Sequence, residues 1–250
     1  MKPIIKVENL RKVYRLGSER VVALDRINLV IHEGEICCIL GTSGSGKSTL
    51  LNMLAGLERP TAGSVTVCGV RISETSEKKM ALFRQKNLGF VFQSYNLLNS
   101  QTALENVALP LVFKGVGKRK RILAAKRMLK AVDLGTRMQH LPSQMSGGQQ
   151  QRVGIARAFV AHPRVVFADE PTGNLDSKTT IEVMELMCRM AREHKQTLVI
   201  VTHDSEIAEY ADRVIHLIDG NIVDDRYTDK KIATEEISEE NTANEYEIKA

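Results

Sequence analysis

GTSGSGKST, Gly41 to Thr49, decides how the rest of the 250-residue chain is read. It fits the pattern G-x-x-x-x-G-K-[ST], with Gly41, Gly46, Lys47 and Ser48 at the fixed positions. The apolar run EICCILG precedes it and STLLNMLAGL follows, so the loop is expected between a buried strand and a helix. Glycines let backbone N–H groups wrap phosphate oxygens, and the helix N-terminus adds positive potential. Lys47 supplies a point charge to the β and γ oxygens, and the Ser48 hydroxyl suits Mg²⁺. Thr42, Ser43, Gly44, Ser45 and Thr49 complete the cradle.

RVVFADEP, Arg164 to Pro171, supplies the complement. Its apolar strand ends in Asp169, which places a carboxylate at the C-terminal edge of a sheet, beside the phosphates. Asp169 suits the Mg²⁺ shell, directly or through water. Glu170 follows at once as the candidate base that orients and deprotonates an attacking water. Together the two stretches indicate a nucleoside-triphosphate hydrolase and leave its class open.

The remaining pattern supports an α/β fold. IIKVENL, VVALDRINLVI and SVTVCGV read as strands; RVVFAD and TLVIVT are buried strand runs flanking a helical pattern over Thr180–Met190. Continuous apolar strands alternating with helices indicate a parallel sheet covered on both faces. RVIHLIDGNIV reads as a hairpin turning on Asp219-Gly220. Residues 94–160 read as mainly helical. Within them Ile122, Ala125, Leu129 and Val132 recur at helical spacing and leave Arg119, Lys120, Lys126, Arg127 and Lys130 outward.

Composition is that of a globular chain, 43% hydrophobic and 26% charged. No apolar run is long enough to span a bilayer, and the N-terminus lacks the apolar core of a signal peptide. A cytoplasmic protein is expected, with any membrane role supplied by a separate subunit. Cys37, Cys38, Cys68 and Cys188 have no metal-ligand spacing, and Cys37 and Cys38 read as buried strand residues. The net charge of +5 divides unevenly: from Asp224 onward nine acidic and four basic residues give −5, which leaves +10 on residues 1–223. The basic body suits a polyanion. The segment 226–250 has too few apolar residues to pack and is expected to be disordered or a docking element.

A second glycine turn, MSGGQQQR from Met145 to Arg152, has no lysine and no metal ligand. Ser146 stands at a helix N-cap position, and Gly147 and Gly148 leave the next amides uncovered. Taken in order with GTSGSGKST, Gln93 in GFVFQSYNLL, ADEPTGNLD and His203 in VIVTHD, it resembles the ATPase subunit of ABC (ATP-binding cassette) systems over residues 4–225. That resemblance implies a RecA-like parallel-sheet core, an antiparallel β subdomain and an inserted helical subdomain at about 94–160. It also implies a homodimer in which Ser146, Gly147, Gly148 and Gln149 of one copy cover the ATP held by the other. Tyr14 matches the aromatic that stacks on adenine, and Gln93 the residue linking Mg²⁺ and water to the helical lobe. Asp176 matches the loop reaching across the dimer, and His203 the switch residue on the γ-phosphate.

VFQSYNLL, TALENVALPL and ADEPTGNLDS further resemble the branch of macrolide-efflux, lipoprotein-release and cell-division ATPases. Asn99 and Ser100 stand where that branch commonly has a proline. The branch implies a separately encoded membrane permease that the ATPase drives from the inner face of the membrane. An importer ATPase is the nearer alternative. A soluble ABC ATPase acting on nucleic acid or ribosomes is the more distant one, and the basic helix 119–130 lacks the interleaved aromatics of single-strand binders. A P-loop kinase would leave the second glycine turn unexplained.

Overall fold

The computed structural model describes residues 2–228. Two sheets share one core. Strands β1 (Pro3–Leu16), β2 (Glu19–His32), β4 (Ala62–Val67) and β5 (Val70–Arg71) form an antiparallel sheet in the order β2-β1-β4-β5. The second sheet has six strands, ordered β10-β9-β3-β8-β7-β6. These are β3 (Ile36–Leu40), β6 (Leu88–Phe92), β7 (Val165–Asp169), β8 (Thr197–Thr202), β9 (Arg213–Ile218) and β10 (Asn221–Tyr227). Neighbours are parallel except the β9–β10 hairpin, which turns on Asp219 and Gly220, both left-handed at φ 45° and 73°.

Period-two alternation along the parallel strands divides the core. Cys37, Ile39, Phe167, Val199 and Val201 face one side. They pack on α1 (Lys47–Leu54) and on the antiparallel sheet through Leu50, Leu54, Ile5 and Val65. Cys38, Leu40, Val166, Ala168 and Ile200 face the other, against α5 (Gly147–Phe159) and α6 (Ser177–Glu193). Burial on both faces is why ICCIL reads as an unbroken apolar run. It also raises the Cys37 thiol far above its ordinary range and pushes Cys38 up to about 12, so both behave as small hydrophobes.

The helical lobe adds α3 (Ala103–Phe113) and α4 (Lys118–Ala131), which meet α5 over Val107, Leu111, Ala125, Leu129 and Val153. On α4, Ala125 and Leu129 are buried and Arg119, Lys120, Lys126, Arg127 and Lys130 are exposed. The expected helical stretch from residue 94 requires correction, because residues 93–102 form a connector instead. Tyr95 and Asn96 are left-handed at φ 59° and 49°. Helix α3 starts only where Thr102 and Glu105 close a capping box. The buried Asn106 side chain then holds the connector by bonding the N–H and C=O of Leu98 and the C=O of Gln101.

Helix α2 (Glu77–Asn87), strand β6 after it and the short helix α7 (Ser205–Ala208) escape the sequence reading. Strand β10 continues through Arg226 and Tyr227, the first two residues read as tail. Residues 229–250 lie outside the described residues.

Candidate functional site

Strand β3 ends at Leu40, and the chain must reverse before α1 can pack back on the sheet. Gly44 and Gly46 make the reversal with φ 82° and 102°. A Cβ at Gly41 would lie 2.3 Å from the Leu217 carbonyl oxygen, and one at Gly46 2.5 Å from that of Ala23, so glycine is required at both. Gly46 is the N-cap of α1 and has no side chain to cap with, which leaves the first-turn amides uncovered. Lys47 is buried, and its Nζ bends back to the carbonyl oxygens of Gly41 at 2.7 Å and Thr42 at 2.9 Å. No carboxylate lies within salt-bridge range of it among the described residues, so its charge remains available to an incoming anion.

The loop forms one wall of a cavity of about 500 Å³. Ser43, Gly44, Gly46, Lys47, Ser48 and Thr49 line it on that side. Gln93, Glu170 and His203 close it from the C-terminal ends of β6, β7 and β8, and Val21–Ala23 of β2 close it from the antiparallel sheet. Three side chains called from separate motifs thus converge on the same space.

Glu170 is held firmly. Its backbone is left-handed at φ 45°, an uncommon conformation for a non-glycine residue, and its N–H donates to Val201 O at 2.9 Å. The buried Thr202 hydroxyl donates to its carboxylate at 3.2 Å, and His203 Nδ1 lies 3.0 Å from both carboxylate oxygens. The sequence reading missed this contact of Thr202, although the residue sits immediately before His203.

Asp169 ends β7 half-buried, and its Oδ1 is buried without a hydrogen-bond partner. Burial raises its carboxyl above the ordinary range; the neighbouring Glu170 charge adds to this, and Lys47 opposes it. A carboxylate oxygen withdrawn from water and left without a donor fits a divalent metal. Ser48 and Gln93, both in the cavity wall, carry oxygens that could join it.

Tyr14 stands beside this cavity and does not line it. It pairs across the sheet with Val21, its hydroxyl donates to Glu58 at 2.8 Å, and Lys12 lies 4.9 Å from its ring centroid. Gly41, Thr42 and Ser45 form the back of the loop: Ser45 N–H donates to Thr42 O, and Ser45 O accepts from Gly220 N–H.

No residue of the second glycine turn lines the cavity. Ser146 caps α5 as its residue type implies, with Oγ accepting from Gln149 N–H at 3.3 Å and Gln149 Oε1 accepting from Ser146 N–H at 3.2 Å. Gly147 and Gly148 keep their amides free of that box. Asp176 caps α6 in the same manner, accepting from the Thr179 N–H and hydroxyl, which lower its carboxyl. The two capped ends touch: a Cβ at Gly148 would lie 2.5 Å from Thr179 Cγ2.

Helix α5 ties this second group to the first. Buried Gln151 donates to the carbonyls of Phe92, at 3.3 Å, and of Pro171. Arg157 donates to those of Asn96 at 2.6 Å and Tyr95 at 2.7 Å. Both escaped the sequence reading, because side-chain bonds to distant main-chain oxygens leave no local pattern.

A glycine-rich loop on a parallel-sheet core, with paired acids at the neighbouring strand end, defines a P-loop nucleoside triphosphatase. The family model described as ABC transporter matches residues 24–173. The chain is 46% identical over 225 residues to the lipoprotein-releasing system ATP-binding protein LolD of Geobacter metallireducens, covering 90% of this chain and 100% of that one. It is 44% identical over 224 residues to the macrolide export ATP-binding/permease protein MacB of Rhodopirellula baltica, covering 89% of this chain but 33% of that longer protein. A solved dimeric structure of the ATP-binding cassette MJ0796 of Methanocaldococcus jannaschii, in a post-hydrolysis state bound to ADP and Pi, superimposes with a TM-score of 0.83 at 42% identity. It covers 89% of this chain and 98% of that one. The chain belongs to the ABC transporter ATP-binding family.

Proposed function

We propose that two copies of this chain close around two ATP molecules, hydrolyse them, and drive a separately encoded membrane permease of the macrolide-export or lipoprotein-release kind. The observation that carries the reading is Glu170, fixed at the end of β7 by Thr202 and His203 and facing the same cavity as Lys47. Gly41–Thr49 cradle the phosphates and Tyr14 stacks on the base. Glu170 takes the proton from water as its oxygen bonds the γ-phosphorus and the β–γ bridge breaks to ADP and phosphate. His203 keeps its second ring nitrogen for the γ-phosphate, and Gln93 orients the water. Ser48, Gln93 and Asp169 are the residues that would hold Mg²⁺, which when bound would supply neutralisation of developing phosphate charge; the orphaned Asp169 Oδ1 supports this.

Ser146, Gly147, Gly148 and Gln149 complete the second copy's nucleotide site, with Asp176 reaching across. Their placement away from this chain's own cavity supports that division. The relatives LolD and MacB support a permease partner, which would hold the chain at the inner face of the cell membrane. No helix among the described residues is long and apolar enough to cross a membrane.

Glu170→Gln tests the reading. Phosphate release should fall by about 10²–10⁴-fold while ATP still binds and the dimer persists on a sizing column. Release at the unsubstituted rate would remove Glu170 as the base.

A further inference from the structure

The parallel strands have two ends, and the nucleotide loop occupies one. At the other, the turns that enter β3, β7 and β8 leave an open pocket of about 710 Å³. Its rim carries Arg164, Arg192, Lys195, His162 and His194, with Gln196 in the floor. Glu33 is the acid on the rim, and it pairs with Arg164. Lys195 has no carboxylate partner among the described residues. Lys114 stands behind His162, held by the carbonyl oxygens of Ala161 at 2.7 Å and Lys86 at 3.4 Å. The His162 and His194 rings meet edge to face at 5.4 Å. Burial, then His194 and Lys114, lower the His162 pKa, as a cationic surround would.

Gln196 adds an observation independent of charge. It is 4% exposed, its Nε2 donates to Pro163 O at 2.6 Å, and its Oε1 is buried with no donor. An acceptor in that position suits the backbone N–H of an incoming peptide.

The chain itself leads a suitable peptide to this pocket. Thr228 N–H donates to Asp212 O at 2.9 Å, and its hydroxyl donates to Ala211 O at 2.8 Å. The Asp212 side chain accepts from Arg192 Nη2 at 2.7 Å, and Arg192 is on the pocket rim. The described chain thus stops one side-chain contact short of the pocket, on the same edge of the sheet. Residues 229–250 follow, with seven acidic and three basic residues. Glu235 and Glu236 are within reach at about 3.3–3.6 Å per extended residue.

We propose that the acidic segment 229–250 docks in cis on the basic pocket at the N-terminal edge of the parallel sheet, its carboxylates on Lys195, Arg164 and Arg192. The arrangement keeps the segment on the opposite edge from the nucleotide loop.

Zero-length carbodiimide coupling of the full chain, mixed equally from light and ¹⁵N-labelled protein without nucleotide, reads this directly. The expected product joins Lys195 Nζ to a glutamate between 235 and 247, both peptides carrying the same isotope. It should vanish in Lys195→Arg, which keeps the charge but not the reactive amine, and in about 1 M salt, where screening is nearly complete. Three outcomes overturn the proposal: a mixed-isotope product, which places the segment on a second copy; Lys195 coupled to Glu33 or Glu193 alone; or tail carboxylates coupled to other lysines and none to Lys195.

Discussion

The turn that opens α1 and the turn that opens α5 both present glycine amides at a helix N-terminus, but they are finished in opposite ways. At α1 the cap residue is Gly46, with no side chain, and a buried lysine follows it. At α5 the cap is Ser146, reciprocally bonded to Gln149, with no cation among the first five helical residues. The first holds charge in reserve and has acids, amide and imidazole from three other strand ends around it. The second is a rigid, neutral end that spends its Gln149 amide on its own cap and keeps those of Gly147 and Gly148. Anion binding needs more than uncovered amides: Lys47 gives the first turn a charge of its own, and under the proposed function the second turn, without one, meets only a nucleotide held by the other copy.

Substitutions that strike one turn and spare the other would break this contrast or sharpen it. Gly148→Asp sets a carboxylate at the second turn, and phosphate release should fall by about 10²–10³-fold, the scale of losing one preorganised donor. ATP affinity of the single chain, measured by fluorescence titration, should stay unchanged; a parallel loss would mean the two turns share one site. Lys47→Ala should do the reverse, weakening ATP binding about 10- to 100-fold in the same titration. Ser146→Ala removes the α5 cap and should cost about 1 kcal/mol in urea unfolding, whereas α1 has no cap bond to lose.

The smallest effect belongs to Asp169. Its folded carboxyl titrates above the ordinary aspartate range, so the ionised form costs stability. That cost is full above the folded pKa. It fades as pH falls through that value, because the folded chain then binds a proton the unfolded chain has not yet taken. Asp169→Asn should therefore raise Tm without nucleotide, by at most about 2–4 °C, the gain shrinking on mild acidification. A lower Tm in differential scanning calorimetry would contradict the raised carboxyl.

Much of this was legible from residues alone. GTSGSGKST, the paired acids after RVVFA and the Asp219-Gly220 turn each carry a local signature, and each falls at the strand end or turn that its pattern predicts. Strands β3, β7 and β8 announce themselves because both faces are buried. Helix α2 does not, since Met80 and Phe83 are its only buried residues and the other two apolar ones, Ala81 and Leu82, are exposed among polar neighbours. Strand β6 has five residues, too short for period to separate it from the helices after it. The connector 93–102 looked helical because its shape comes from Arg157 and Asn106, neither of which is local to Tyr95 and Asn96. Tyr14 could be placed on a strand but not beside Glu58, a partner 44 residues away.

Arg157 grips that connector through the main-chain oxygens of Tyr95 and Asn96, and Gln151 holds the end of β6 just before it through that of Phe92. A carbonyl is present whatever side chain the residue carries. The attachment of α5 to the nucleotide edge therefore places little demand on the identities of residues 94–100, and Asn99 and Ser100 can depart from a relative's proline without loosening it. The side chains along this strip are free to vary while the latch behind it stays the same.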